Sequence, residues 1–380
     1  MTDLTHLLTT RRIVVCLGSG GVGKTTLSAS LGLWGALNGR RTAIVTIDPA
    51  QRLADCLGLH DFSAPSVTLS RDAFLSQNLN PCASLTIFRV DQQHAWDALV
   101  DQYVPTPEGR VRIRTNRFYQ GLSQTFAGSH DYIALNQLAQ LIATNTYDLI
   151  VVDTPPAKHA IDFLRTPFQL QRLLQHALSQ RFLHPAVQRG WATFSSANRL
   201  GTALLTKLEH ATGLSTLGDI AAFFSTMAHM IEDLSIRLTQ VSGILSSKET
   251  AFVLVTTLNT ASTAETQKTS VDLNALGVVP QAVVVNRVTS TRETVTESAM
   301  SRARIEHSSK TLRGARLNKQ QQQWLVENFV GYQKRLGAEI RHLEALQAQF
   351  RSPTPLLTIP LWPSGPMDLG SLARLQQYLF

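Results

Sequence analysis

The run Gly18-Ser19-Gly20-Gly21-Val22-Gly23-Lys24-Thr25-Thr26 constrains this chain more than any other feature. It follows the apolar stretch Ile13-Val14-Val15-Cys16-Leu17 and precedes Leu27-Ser28-Ala29, which reads as a helix start. Glycines at this spacing let successive backbone N–H groups turn inward, and a helix N-terminus behind them adds a positive dipole. A Gly, four residues and then Gly-Lys-Thr is the spacing of a loop that cradles the phosphates of a nucleoside triphosphate. Lys24 supplies a point charge to the β- and γ-phosphates, and the Thr25 hydroxyl is a Mg²⁺ ligand. The expectation is a Mg²⁺-dependent ATPase, with Lys24 catalytic and Ser19, Gly20, Gly21, Val22, Gly23, Lys24, Thr25 and Thr26 forming the cradle.

The rest of the chain reads as the scaffold such a loop needs. Apolar runs without alternation recur at Ile13–Leu17, Thr42–Ile47, Leu85–Val90, Leu149–Val152, Ala251–Val255, Ala282–Val285 and Leu356–Ile359. Strands of that kind belong to a parallel sheet covered on both faces, joined by right-handed helical crossovers. The fold class is therefore α/β, a doubly wound and mostly parallel sheet, and residues 1–380 form one domain. Two segments, about 91–145 and 157–248, are too long for simple crossovers and are expected to build an inserted helical subdomain. In the second, Met227, Ile231, Leu234, Leu238, Val241 and Leu245 alternate spacings of four and three, a narrow apolar seam. It packs onto neighbouring helices or meets a partner helix.

Two acidic residues complete the expected chemistry. Asp153 ends the Leu149–Val152 strand, and Asp48 ends the Thr42–Ile47 strand. Ligands of open α/β sheets bind at the carboxyl ends of the strands. A carboxylate there can reach the Mg²⁺ shell or orient the attacking water in line with the γ-phosphate. An Asp after a strand also serves as an N-cap; beside a phosphate loop the chemical role is favoured. The metal set expected is Thr25, Asp48 and Asp153.

The formal net charge is +8 and only 16% of residues are charged, so anionic ligands or an apolar contact surface are compatible with the surface. Arg302, Arg304, Lys310, Arg313, Arg316 and Lys319 form a basic stretch. It lacks the interleaved aromatics that stack nucleic acid bases, so nucleic acid is not the expected partner. Cys16, Cys56 and Cys82 offer neither a disulfide framework nor a CxxC pair for zinc. Met1–Arg12 lacks a signal-peptide core, and no apolar run is long enough to span a membrane. A cytoplasmic protein without zinc is expected.

Taken together, these motifs resemble the ArsA-type ATPases, which include the arsenite-pump ATPase and the guided-entry ATPase that targets tail-anchored membrane proteins. Gly20-Gly21-Val22-Gly23-Lys24-Thr25-Thr26 is similar to that family's deviant Walker A loop. Asp48-Pro49-Ala50-Gln51-Arg52-Leu53-Ala54-Asp55 resembles its first switch, and Asp153-Thr154-Pro155-Pro156-Ala157-Lys158-His159-Ala160 its second. Ala127-Gly128-Ser129-His130-Asp131 falls where the family has Pro-Gly-x-Asp-Glu. Val285-Asn286-Arg287 looks like the strand end bearing the purine-reading Asn, and Ile359-Pro360-Leu361 like the C-terminal adenine loop. The ordered matches run from about Ile13 to Leu369, and their wording is most like bacterial paralogues of the family.

The resemblance implies a homodimer closing on two ATP molecules, with Asp48 positioning water and Asn286, Pro360 and Leu361 contacting adenine. It also implies that Asp153 and His159 relay nucleotide state into the helical subdomain. The chain departs from the family at Ser19, where a signature Lys usually reaches the partner's phosphates. Its cysteines do not match the arsenite-binding segments. Three roles follow: a dimeric switch that binds and releases a protein client or membrane-associated partner, the energising subunit of an arsenite or oxyanion exporter, and a positioning ATPase of the MinD/ParA kind. The first is the expected one.

Overall fold

The computed structural model describes residues 3–47, 51–59, 64–90, 100–101, 104, 106–115, 129–156, 236, 239–289, 318–350, 354–362 and 365–380. The elements are α1 (Asp3–Thr10), β1 (Ile13–Gly18), α2 (Lys24–Leu37), β2 (Thr42–Thr46), α3 (Gln51–Leu57), β3 (Ser66–Thr68), α4 (Arg71–Leu75) and β4 (Leu85–Arg89). They continue with α5 (Pro107–Arg114), α6 (Ser129–Ala143), β5 (Leu149–Asp153), β6 (Thr250–Thr257), α7 (Thr260–Ala275), β7 (Ala282–Val288), α8 (Lys319–Gln349), β8 (Leu356–Pro360) and α9 (Leu369–Leu375).

The strands form one sheet in the order β3-β4-β2-β5-β1-β6-β7-β8. Every pairing is parallel except that of β3 with β4. All seven apolar runs of the sequence are strands. The short edge strand β3 has an exposed–half-buried–exposed pattern and no apolar run to announce it.

Burial explains why the central strands read as continuous apolar runs. Ile13, Val15, Leu17, Ile150, Val152 and Phe252 face one core layer, while Val14, Cys16, Val151 and Val253 face the other. The first layer is closed by Ala134, Leu135 and Leu138 of α6, Val241 and Leu245, Leu273 of α7 and Leu346 of α8. The second is closed by Leu27 and Leu31 of α2, Leu53 of α3, Phe74 of α4 and Leu372 of α9. A sheet covered on both faces has no solvent side, so period-two alternation of polar residues is absent.

Of the seam in the second long segment, Val241 and Leu245 pack into the sheet core. Met227, Ile231, Leu234 and Leu238 lie outside the described residues, as do Asp48, His159 and the basic residues from Arg302 to Arg316. Among the described residues no helix is long and apolar enough to cross a membrane.

Candidate nucleotide site

β1 delivers the chain to the carboxyl edge of the sheet between β5 and β6. The turn out of the strand is possible only with glycine. A Cβ on Gly18 would stand 2.1 Å from the Val255 carbonyl oxygen of β6. Gly23 then starts α2 as its N-cap, at φ 103°, and its carbonyl accepts the first helical hydrogen bond from Leu27 N–H at 2.9 Å. That left-handed backbone is open to glycine and strained for other residues. Helices leave their first N–H groups without intrahelical partners, so this turn presents donors and a positive dipole end to whatever occupies the loop.

Lys24 is the first residue of α2 and only 5% exposed. Its Nζ donates to the Gly18 carbonyl at 3.0 Å and to the Ser19 carbonyl at 2.9 Å. The ammonium is thus held inside the ring of the loop, where a phosphate oxygen can exchange for a carbonyl. Ser19 is buried, and its hydroxyl has no hydrogen-bond partner among the described residues. Gly20 and Gly21 form the exposed lip, with Pro156, just after β5, 3.9 Å from where a Cβ on Gly20 would lie.

Beneath the loop, Asp153 is wholly buried at the end of β5 and accepts a hydrogen bond from the Thr46 hydroxyl at 3.2 Å. In register it lies beside Cys16 of β1 and Thr46 of β2. The next residue, Thr154, donates its hydroxyl to the Cys16 carbonyl at 2.6 Å, which ties the segment after β5 to the strand that feeds the loop. Burial pushes the Cys16 thiol up to about 12; the Ser28 hydroxyl opposes this, Asp153 adds to it and Lys24 again opposes it. Cys16 is therefore a neutral core residue. Cys56 is also raised, first by burial, and its Sγ lies 3.6 Å from Thr26 Oγ1, so α3 touches the first turn of α2.

The third group of expected residues lies on β7 and β8. Asn286 donates from Nδ2 to the Val22 carbonyl at 2.8 Å, reaching from β7 past β6 to the phosphate loop. Pro360 pairs with Val288, and Leu361 N–H donates to the Val288 carbonyl at 2.8 Å, so the Pro360–Leu361 turn abuts the end of β7. Leu361 is 53% exposed, an apolar side chain at the open edge of the sheet. Loop, Asp153, Asn286 and Pro360–Leu361 thus come from four strands and meet along one edge.

Residues 11–348 match the model of the anion-transporting ATPases, the ArsA ATPases. The chain belongs to the ArsA ATPase family. Among its ArsA-type relatives, the "ATPase ASNA1 homolog 1" of Paramecium tetraurelia is 28% identical over 166 residues, 43% of this chain and 46% of that protein. The "ATPase GET3" of Malassezia globosa is 24% identical over 276 residues, 72% of each chain. The "Putative arsenical pump-driving ATPase 2" of Aquifex aeolicus is 27% identical over 163 residues, 42% of this chain and 50% of that one. The chain thus spans about half the length of the Paramecium and Aquifex relatives it matches.

Sequence reasoning named the loop, Asp153 and Asn286, and the fold brings them to one edge of the sheet. The same reasoning did not single out Thr46, Val255 or Cys56. Thr46 stands two positions before Asp48 in an apolar run, and the other two are ordinary strand and helix residues; no local signal separates them from their neighbours.

Proposed function

We propose that the chain binds and hydrolyses Mg-ATP in this cradle, and acts as a homodimeric, nucleotide-driven switch in the cytoplasm that captures and releases a protein client or membrane-associated partner. The carrying observation is the buried Lys24 ammonium held by two loop carbonyls at a helix N-terminus. A cation in a ring of backbone dipoles, with N–H donors converging on it, is complementary to a polyphosphate anion.

Thr25 at the first turn of α2, Asp153 at the end of β5 and Asp48 would hold Mg²⁺. Thr25 hydroxyl and Asp carboxylates are a hard-oxygen donor set, which suits Mg²⁺ and not a thiophilic metal. The ion neutralises charge on the β- and γ-oxygens when bound. Lys24 moves from the Gly18 and Ser19 carbonyls to the bridging and terminal phosphate oxygens. Asp48 accepts a hydrogen bond from water and sets it in line with the γ-phosphorus. The water oxygen bonds to that phosphorus as its bond to the bridging oxygen breaks, and the water's proton passes to a phosphate oxygen, leaving ADP and inorganic phosphate. Ser19 adds no charge where the family's signature Lys stands, so turnover relies on groups within the subunit and is slow.

The pairing of Thr154 with Cys16 and of Thr26 with Cys56 supports a switch reading, because one segment following a strand end touches the strand that feeds the loop and the other touches the helix that follows the loop. The change in nucleotide state would pass from there into the helical subdomain built from about 91–145 and 157–248.

Calorimetry with Mg-ATP on the parent chain, Lys24→Ala and Asp48→Asn tests the site. Expected are micromolar binding by the parent, loss of about a hundredfold in affinity in Lys24→Ala, and retained binding without turnover in Asp48→Asn. No heat of ATP binding by the parent removes the nucleotide reading. Parental turnover by Asp48→Asn removes Asp48 as the water-orienting group. For the switch, light scattering with and without ATP should report a dimer. Equal binding of a hydrophobic peptide in ATP, ADP and Lys24→Ala states would remove the client role.

A further inference from the structure

We propose that Asn286 is a positioning residue for the phosphate cradle: its amide fixes the peptide plane between Val22 and Gly23, and so aims the Gly23 N–H at the bound polyphosphate. The inference rests on the nucleotide reading above and deepens it.

The geometry is local. Asn286 Nδ2 donates to the Val22 carbonyl at 2.8 Å. A Cβ on Gly23 would stand 2.2 Å from that same nitrogen, so the amide lies directly against the Gly23 backbone. In a planar trans peptide the C=O and N–H vectors point in opposite directions. Holding the Val22 oxygen towards β7 therefore turns the Gly23 N–H the other way, into the loop that Lys24 enters from the same residue run. No bulkier residue fits at Gly23 without expelling this amide.

The amide is itself held. Its Oδ1 accepts a hydrogen bond from Arg287 N–H at 2.9 Å. Arg287 adopts φ 59°, a left-handed conformation that a non-glycine residue occupies at a cost. It lies within the register irregularity between Val285 and Val288, where β7 leaves strict pairing with β8. This local distortion orients the side chain across β6 onto the loop. With one N–H and one oxygen lone pair committed, an Asn amide keeps a second N–H and a second lone pair. A base lying against β7 and β8 would meet a side chain already anchored to the phosphate loop.

A residue that only reads the base and a residue that sets the cradle differ in what they do to a ligand without a base. Asn286→Asp is isosteric: it keeps the acceptor for Arg287 N–H, removes the donor to Val22 and places a carboxylate against a carbonyl. Asn286→Ala removes the whole contact without adding charge. Affinities for Mg-ATP and for inorganic Mg-tripolyphosphate are measured by calorimetry on the full chain, with thermal midpoints confirming that each variant is folded. The expected result is an equal loss, about tenfold, for both ligands in both variants, so that the ratio of the two affinities is unchanged. A loss confined to ATP overturns the proposal and leaves Asn286 as a base reader. So does unchanged affinity for both ligands. A parent chain that holds ATP but not tripolyphosphate also overturns it, since the cradle then contributes too little to be set by Asn286. A parent chain that binds neither ligand removes the nucleotide reading itself.

Discussion

The Thr46 hydroxyl donates to Asp153 Oδ2 at 3.2 Å, and the same two residues are register partners between β2 and β5. The strand leading towards Asp48 is thereby fastened to the strand that ends in Asp153, at the carboxyl edge of the sheet. A carboxylate with no exposure carries a large desolvation cost unless polar partners surround its charged form. Thr46→Val keeps the shape and removes the donor. Its unfolding free energy in urea should fall by about 1–3 kcal/mol, and the Mg²⁺ concentration needed for half-maximal ATP binding should rise. Unchanged values for both would mean that Thr46 does not support Asp153.

Gly18 is required by close approach. Adding one methyl group would press it to 2.1 Å from a β6 carbonyl oxygen, a backbone atom that cannot rotate away, with the Val22 side chain a further 3.1 Å contact. Gly18→Ala should therefore cost about 1–3 kcal/mol or more in urea unfolding. Gly243→Ala is the control, since nothing lies within 4 Å of its added Cβ and it sits within the helical stretch 239–245. That change should stabilise the fold by about 0.5–1 kcal/mol.

Thiol accessibility should follow burial and not sequence order. Cys82 is exposed, Cys56 is half-buried with its thiol pKa raised, and Cys16 is buried with its thiol pushed up to about 12. A maleimide or disulfide reagent at pH 8 should label Cys82 rapidly, Cys56 more slowly and Cys16 only after denaturant is added. Labelling of Cys16 in the native chain at the rate of Cys82 would contradict the packing beneath the loop.

The opposite edge of the sheet carries a pH-dependent staple. Arg41 donates from Nη2 to Asp148 Oδ1 at 2.7 Å and from Nε to Oδ2 at 3.0 Å. These bonds hold the Asp148 carboxyl down at about 2. An Asp in the unfolded chain titrates near ~3.9, so the folded value is depressed and the stabilisation is present above that pH. It is lost as pH falls from ~4 through ~2. Both side chains are more than a third exposed, so solvent screening keeps the contribution small. The urea midpoint of the parent should exceed that of Asp148→Asn at pH 7, with the gap reduced to about half near pH 3. A gap that widens on acidification would reverse the assigned sign.

The apolar runs and the glycine loop were readable because each is a contiguous signal. Seven strands follow from apolar runs, the central ones buried on both faces, and the loop follows from backbone freedom and charge over nine successive residues. The edge strand β3 escaped that reading because Ser66-Val67-Thr68 buries little and pairs antiparallel with β4 alone. Within the long segment at about 91–145, α6 lays Ala134, Leu135 and Leu138 on the sheet core, a contact that segment length alone does not announce.

Primary structure by itself determined the phosphate loop, the two-sided sheet and the acidic residue closing β5, since hydrophobic burial and backbone freedom act between near neighbours in the chain. Only the tertiary structure decided that β5 separates β1 from β2, which places Thr46 on Asp153 and Thr154 on Cys16. The same holds for Asn286 meeting Val22 from 264 positions away. Such contacts depend on strand order and register, and these are set by the packing of the whole sheet, which no local run of residues encodes.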